Sequence, residues 1–102
     1  MISGNFFNGK NLSGDADSWV DIKGNNWIIR DNKGKNSPKD GFQTHVILKG
    51  WGDGNLFIGN QADLNGGSGL GFYLDEPLRN KVFCDNGVSG AGQGISNVPC
   101  RG

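Results

Sequence analysis

Three stretches of this chain carry groups able to do chemistry at matching positions. Ser18-Trp19-Val20-Asp21-Ile22-Lys23-Gly24, Thr44-His45-Val46-Ile47-Leu48-Lys49-Gly50 and Leu70-Gly71-Phe72-Tyr73-Leu74-Asp75 follow one another at a spacing of 26 residues. In extended backbone, side chains alternate between two faces. One face then carries Trp19 over His45, Asp21 over Ile47 and Tyr73, and Lys23 over Lys49 and Asp75. That stripe combines a base, an acid, cations and aromatic rings. Aromatic faces stack on sugar rings, and charged groups hold hydroxyls and carboxylates. A cation that neutralises a carboxylate, with a base beside the neighbouring carbon, is also what proton abstraction from a uronate requires.

Each of these residues has a plainer reading beside the chemical one. Lys23 and Lys49 both precede a corner glycine, where any solvated strand end carries a charge. His45, the single histidine, can simply pack on the Trp19 ring. Asp15, Asp17 and Asp21 offer oxygen ligands for a weak calcium site, or they cap a turn. Trp51 lies between two glycines in a corner, as a sugar platform or as an assembly contact. No other metal site is expected, since two cysteines and one histidine lack ligand spacing.

These residues sit on elements that must be strands. The opposite face of the three stretches reads Ser18, Val20, Ile22, then Thr44, Val46, Leu48, then Leu70, Phe72, Leu74, a mostly apolar inward set. A second ladder runs beside it: Asn26-Trp27-Ile28-Ile29-Arg30-Asp31-Asn32, Asn55-Leu56-Phe57-Ile58-Gly59-Asn60 and Asn80-Lys81-Val82-Phe83-Cys84-Asp85-Asn86, with Ile2-Ser3-Gly4-Asn5 as the tail of one more copy. Asn5, Asn32, Asn60 and Asn86 close these units and read as a structural ladder bonded from coil to coil. A fixed period of this size marks stacked repeats. The 19 glycines supply the corners. The expectation is an all-β single domain over residues 1–102, a coil of at least two strands wound about four times. Strands are expected at Trp27 to Arg30, Gly41 to Leu48, Leu56 to Ile58, Leu70 to Leu74 and Lys81 to Cys84. Asp31 to Asp40 reads as a polar loop, and the tail buries Ile95 and Val98. Only two ladders repeat clearly, so the third side of the coil has no assignment.

Several functions are set aside by composition. Ten basic residues balance ten acidic ones without a long run of either, so no nucleic-acid footprint is expected. No apolar run is long enough to span a bilayer, and Met1 to Asn8 lacks the pattern of a signal peptide. No serine sits in a nucleophile elbow. Gly66-Gly67-Ser68-Gly69-Leu70-Gly71 precedes a strand rather than a helix, so it is a corner and no phosphate cradle.

Units of the form Asn-x-apolar-apolar-x-(Gly/Asp)-Asn at coil spacing resemble the right-handed parallel β-helix, or pectate-lyase-like, family. Cys84-Asp85-Asn86-Gly87-Val88-Ser89-Gly90-Ala91-Gly92 through Asn97-Val98-Pro99-Cys100 resembles the C-terminal end of secreted microbial members. Family members usually carry further coils and an N-terminal cap. The resemblance therefore implies the C-terminal part of a longer β-helix, or a short protein that forms homo-oligomers through its open first coil. Cys84 and Cys100 either form a disulfide that pins the tail, which goes with an extracellular setting, or remain reduced as small buried hydrophobes. The pair Asp21-Ile22-Lys23 and His45-Val46-Ile47-Leu48-Lys49 is similar to the arrangement in chondroitinase-B-like alginate lyases. By that resemblance Lys23 is a catalytic base, with His45 or Lys49 as its partner; Trp19, Asp21 and Tyr73 on the outward stripe and Trp51 in its corner are the candidates to bind substrate. Three functions follow: a carbohydrate-associated module that binds a polysaccharide or completes a polysaccharide-active enzyme, a structural module whose purpose is stacking, and a small self-contained lyase.

Overall fold

Frequent left-handed corners divide the chain into strands too short to pair within one coil, so they pair between coils. The protein, seen in a computed structural model, is described over residues 1–10 and 17–102. Among the described residues the strands in order are β1 (Ile2–Ser3), β2 (Phe6–Asn8), β3 (Val20–Ile22), β4 (Ile28–Arg30), β5 (Lys33–Lys35), β6 (Phe42–Thr44), β7 (Leu56–Ile58), β8 (Gln61–Gly67), β9 (Leu70–Leu74), β10 (Lys81–Val82), β11 (Gly87–Ala91) and β12 (Gly94–Ser96). Every third strand joins the same sheet. The first sheet is β1-β4-β7-β10, the second β2-β5-β8-β11 and the third β3-β6-β9-β12, all parallel. The path from β1 to β10 makes three full turns, and β11 and β12 continue into a fourth pass. Parallel crossovers of this kind wind right-handed.

The first sheet follows its ladder from Ile2 through Ile29 to Phe57. Its last strand pairs Val82 with Phe57, where the closing asparagines would put Phe83, and it ends at Val82 instead of Cys84. The extra residue is taken up in the turn in which the Asn86 N–H donates to the Phe83 carbonyl at 3.2 Å. Ile2, Ile29, Phe57 and Val82 stack inward, the last three essentially inaccessible to solvent. After these strands the chain turns through a left-handed residue, Gly4, Asp31 or Gly59, with φ of 66°, 55° and 62°. The asparagine ladder follows at this corner. Asn5 Nδ2 donates to Asn32 Oδ1 at 3.1 Å, Asn32 Nδ2 to Asn60 Oδ1 at 3.0 Å, and Asn60 Nδ2 to Asn86 Oδ1 at 3.0 Å. Each Oδ1 also accepts the backbone N–H of the preceding asparagine. The corner's buried donors are thereby satisfied, as a corner inside the stack requires.

The third sheet corrects the expected register. Phe42, not Val46, lies opposite Val20, and Phe72 lies opposite Phe42. The strand thus ends at Thr44 instead of Leu48. A slip by an even number of residues keeps every side chain on its own face, so alternation alone does not choose between the two. Packing does: Phe42 stacks on Phe72 with centroids 5.1 Å apart and meets Phe57 at 6.0 Å in the centre of the core. Ile47 and Leu48, released from the strand, are 64% and 66% exposed.

The second sheet falls where a polar loop was expected. Its inward column is Phe7, Gly34, Ala62 and Val88, too mixed to show an apolar ladder. Gly34 is required there because the Trp19 ring occupies the space that a Cβ would need. Gly41 faces the same ring, with its would-be Cβ 3.0 Å from Cζ3 of Trp19.

Beyond β12 the chain returns to the edge of the first sheet. Arg101 bridges to Phe83, donating its N–H to the Val82 carbonyl at 2.8 Å and accepting from the Cys84 N–H at 2.7 Å. The Cys84–Cys100 disulfide fixes this return. Closing a loop of sequence separation 16 is worth about 3 kcal/mol in the chain-entropy treatment. Val98 packs against the core, whereas Ile95, expected inside, is 56% exposed because its strand turns that side outward.

Candidate functional site

The outer face of the third sheet places Asp21, Gln43 and Tyr73 in one row. The ladder continues one step past the strands, since the His45 N–H donates to the Ile22 carbonyl and the Asp75 N–H to the Thr44 carbonyl, both at 3.0 Å. Lys23, His45 and Asp75 therefore form the next outward row. Two rows of polar and aromatic side chains thus lie on backbone held at coil spacing.

Asp21 is the centre of this group. Its Oδ1 lies 2.7 Å from His45 Nδ1, and its Oδ2 accepts from Lys23 Nζ at 2.9 Å. Against an ionised carboxylate the imidazole must carry its proton on Nδ1, which leaves Nε2 for a ligand. The Tyr73 ring stands edge-on to His45 with centroids 6.1 Å apart. The Asp21 and His45 side chains are 28% and 27% accessible, so the pair is shielded yet reachable from solvent. Partial burial by itself pushes the Asp21 carboxyl up. Hydrogen bonds from His45 and Lys23, with the charge of the lysine, outweigh burial and hold it below its ordinary value. Gln43 lies between Asp21 and Tyr73 but is buried. Its amide nitrogen donates to Asp40 Oδ2 at 2.7 Å, and its Oε1 has no partner among the described residues.

Four of the residues expected on this face meet here: Asp21, Lys23, His45 and Tyr73. Trp19 does not join them. It turns inward, edge-on to Phe42 at 5.7 Å, and donates its indole N–H to the Asn36 carbonyl at 3.0 Å. The register shift separates it from His45, which lies level with Lys23, and the glycines Gly34 and Gly41 leave the room its ring fills. Lys49 is exposed in the turn after His45 and makes none of the contacts of the cluster. Trp51 is 54% exposed and shares a groove of about 300 Å³ with Ile47, Leu48 and Lys23. Asp17 is exposed and Asp15 lies outside the described residues. Among the described residues no three His, Cys, Asp or Glu side chains gather as a metal site would need. Gln43 is the member of the row that sequence reasoning missed. The signal for it was Phe42, whose size marks the inward position beside it.

Three parallel sheets, a ladder of asparagines at one corner and a charged outer face define a pectate-lyase-like right-handed β-helix. Among solved structures, the alginate lyase from Paenibacillus sp. str. FPU-7 is similar to this chain over 94% of its residues, at 29% identity and a TM-score of 0.80. The chain spans 34% of that structure's length. No family model matches the sequence, and no curated protein does.

Proposed function

We propose that this chain is a carbohydrate-associated β-helix module that binds an acidic polysaccharide along the outer face of its third sheet. The observation that carries the reading is the Asp21 carboxylate holding His45 at 2.7 Å and Lys23 at 2.9 Å on one exposed coil face. Lys23 presents a cation to a uronate carboxylate, His45 offers Nε2 to a hydroxyl, and Tyr73 supplies an aromatic edge. The likeness to an alginate lyase supports a uronate as the sugar. The disulfide supports an extracellular setting.

The Asp21–His45 pair favours a second reading, β-elimination. His45 Nε2 takes the proton from the carbon next to the carboxylate, while Lys23 stabilises the enolate that forms. The electron pair then makes the ring double bond as the glycosidic C–O bond breaks, and the departing oxygen takes a proton from the Tyr73 hydroxyl. Here Lys23 is the electrostatic partner and His45 the base, because Lys23 is already bound as a cation to Asp21. Binding to alginate and absorbance of unsaturated product, measured for the parent, Lys23→Ala and His45→Ala, test both readings. Weakened binding by both variants is expected. Parental affinity in both sinks the binding site, and binding without unsaturated product from the parent sinks the elimination.

A further inference from the structure

The second sheet, the side of the coil that carries no ladder in the sequence, has a groove of its own on the outside. It encloses about 370 Å³ and is lined by Phe6, Lys33, Lys35, Gln61, Asp63 and Ser89. The register explains its shape. Phe6, Lys33, Gln61 and Gly87 form one outward row, and Asn8, Lys35, Asp63 and Ser89 the other. Between them the column Phe7, Gly34, Ala62 and Val88 points inward, so the floor is backbone and the two rows are walls. Gly87 keeps the far end low, because the Gln61 amide lies across the place where its Cβ would stand.

The chemistry of the walls is specific. Lys33 and Lys35 are exposed on the same strand, about 7 Å apart along it by ordinary strand rise. Neither forms an ion pair among the described residues, in contrast to Lys23, Arg30 and Arg79. Phe6 precedes Lys33 by one coil and is 61% exposed, an aromatic face held open beside two cations that make no ion pair, although Asp63 stands next to Lys35 in its row. Gln61 and Asp63 add an amide and a carboxylate at the next coil, groups that bond hydroxyls. An aromatic platform, paired cations and hydroxyl partners on one rigid floor fit a sugar ring that bears negative charge.

We infer that the outer face of the second sheet is a separate binding site for an acidic oligosaccharide, with Lys33 and Lys35 holding its carboxylates and Phe6 stacking on a ring. The site does not depend on the Asp21 cluster, which lies on another sheet. A polymer held on both faces is bound at two sites of the same coils at once, and its effective affinity rises through the linkage.

The test is an amide-resolved NMR titration of the described chain with an alginate hexasaccharide. Shifts are expected at Gly34, Lys35, Ala62 and Val88. They are expected to weaken by at least about tenfold in apparent affinity, some 1.4 kcal/mol, in Lys33→Gln/Lys35→Gln and to weaken also in Phe6→Ala. Shifts around Asp21 and Tyr73, which report the third sheet, are expected to survive both variants. Absence of shifts on the second sheet with the parent protein overturns the inference, whatever happens at Asp21. An equal response to a neutral cello-hexaose removes the role of the lysines. An equal response to a hexadeoxynucleotide shows a general polyanion surface and overturns the assignment to a saccharide.

Discussion

Replacing Asn60 by alanine tests whether the asparagine ladder holds the coil together. The Asn60 side chain is fully buried. Its Oδ1 accepts from Asn32 N at 3.1 Å and from Asn32 Nδ2 at 3.0 Å, and its Nδ2 donates to Ile29 O at 2.9 Å and to Asn86 Oδ1 at 3.0 Å. Truncation leaves the Asn32 N–H buried with no other partner among the described residues. An orphaned buried donor costs about 1–3 kcal/mol, and each remaining lost bond adds about 1 kcal/mol or less. A loss of about 3 kcal/mol follows, which in a domain of this size lowers Tm by about 10–20 °C. Asn5 provides the internal comparison. It only donates, to Asn32 Oδ1 and Ser3 O, and it is exposed. Asn5→Ala is therefore expected to cost about 1 kcal/mol or less. Asn60→Asp keeps the shape but sets a carboxylate against the Ile29 and Asn86 oxygens, and should be at least as damaging as alanine at neutral pH. Urea unfolding followed by circular dichroism and tryptophan fluorescence, with coincident transitions required, gives the numbers. A loss below about 1 kcal/mol for Asn60→Ala, or one equal to that of Asn5→Ala, refutes the reasoning.

Two further outcomes are expected. Gly34→Ala drives a Cβ into the Trp19 ring and should cost about 1–3 kcal/mol by overpacking, a penalty that largely vanishes in a Trp19→Val background; equal costs in both backgrounds, measured by a double-mutant cycle, count against the contact. His45 and Lys23 hold the Asp21 carboxyl below its ordinary value, so its contribution to stability is fully present above the ordinary aspartate range and is lost as pH falls through the lower folded value. Asp21→Asn should flatten this part of the acid unfolding curve, and an unchanged curve would show that His45 and Lys23 do not hold the carboxylate in solution.

The candidate site was half legible. Asp21, Lys23, His45 and Tyr73 announced themselves as outward residues on alternating stretches, and parity survives a slip by four residues. Their mutual distances were not legible, because the partner of each residue depends on the register. Trp19 shows the limit most directly. Alternation places it outward, yet the turn before β3 swings it over Gly34 and Gly41, and the absence of side chains on those glycines is what makes room.

The all-β repeat, the asparagine column and the stacking of Ile2, Ile29 and Phe57 in the first sheet can be read from the letters alone. In that sheet each unit carries its own markers, a closing asparagine at one end and paired apolar residues within, so local pattern and coil spacing agree. The third sheet's register, the pairing of Val82 with Phe57 and the existence of the second sheet follow from packing. Phe42 through Leu48 offers two alternating frames of equal quality, and the choice between them rests on the stacking of Phe42 with Phe72 and Phe57. Lys33-Gly34-Lys35 has no apolar signature because its inward position is filled by a tryptophan from elsewhere in the chain. A strand whose core contact is supplied by another residue cannot be read from its own letters.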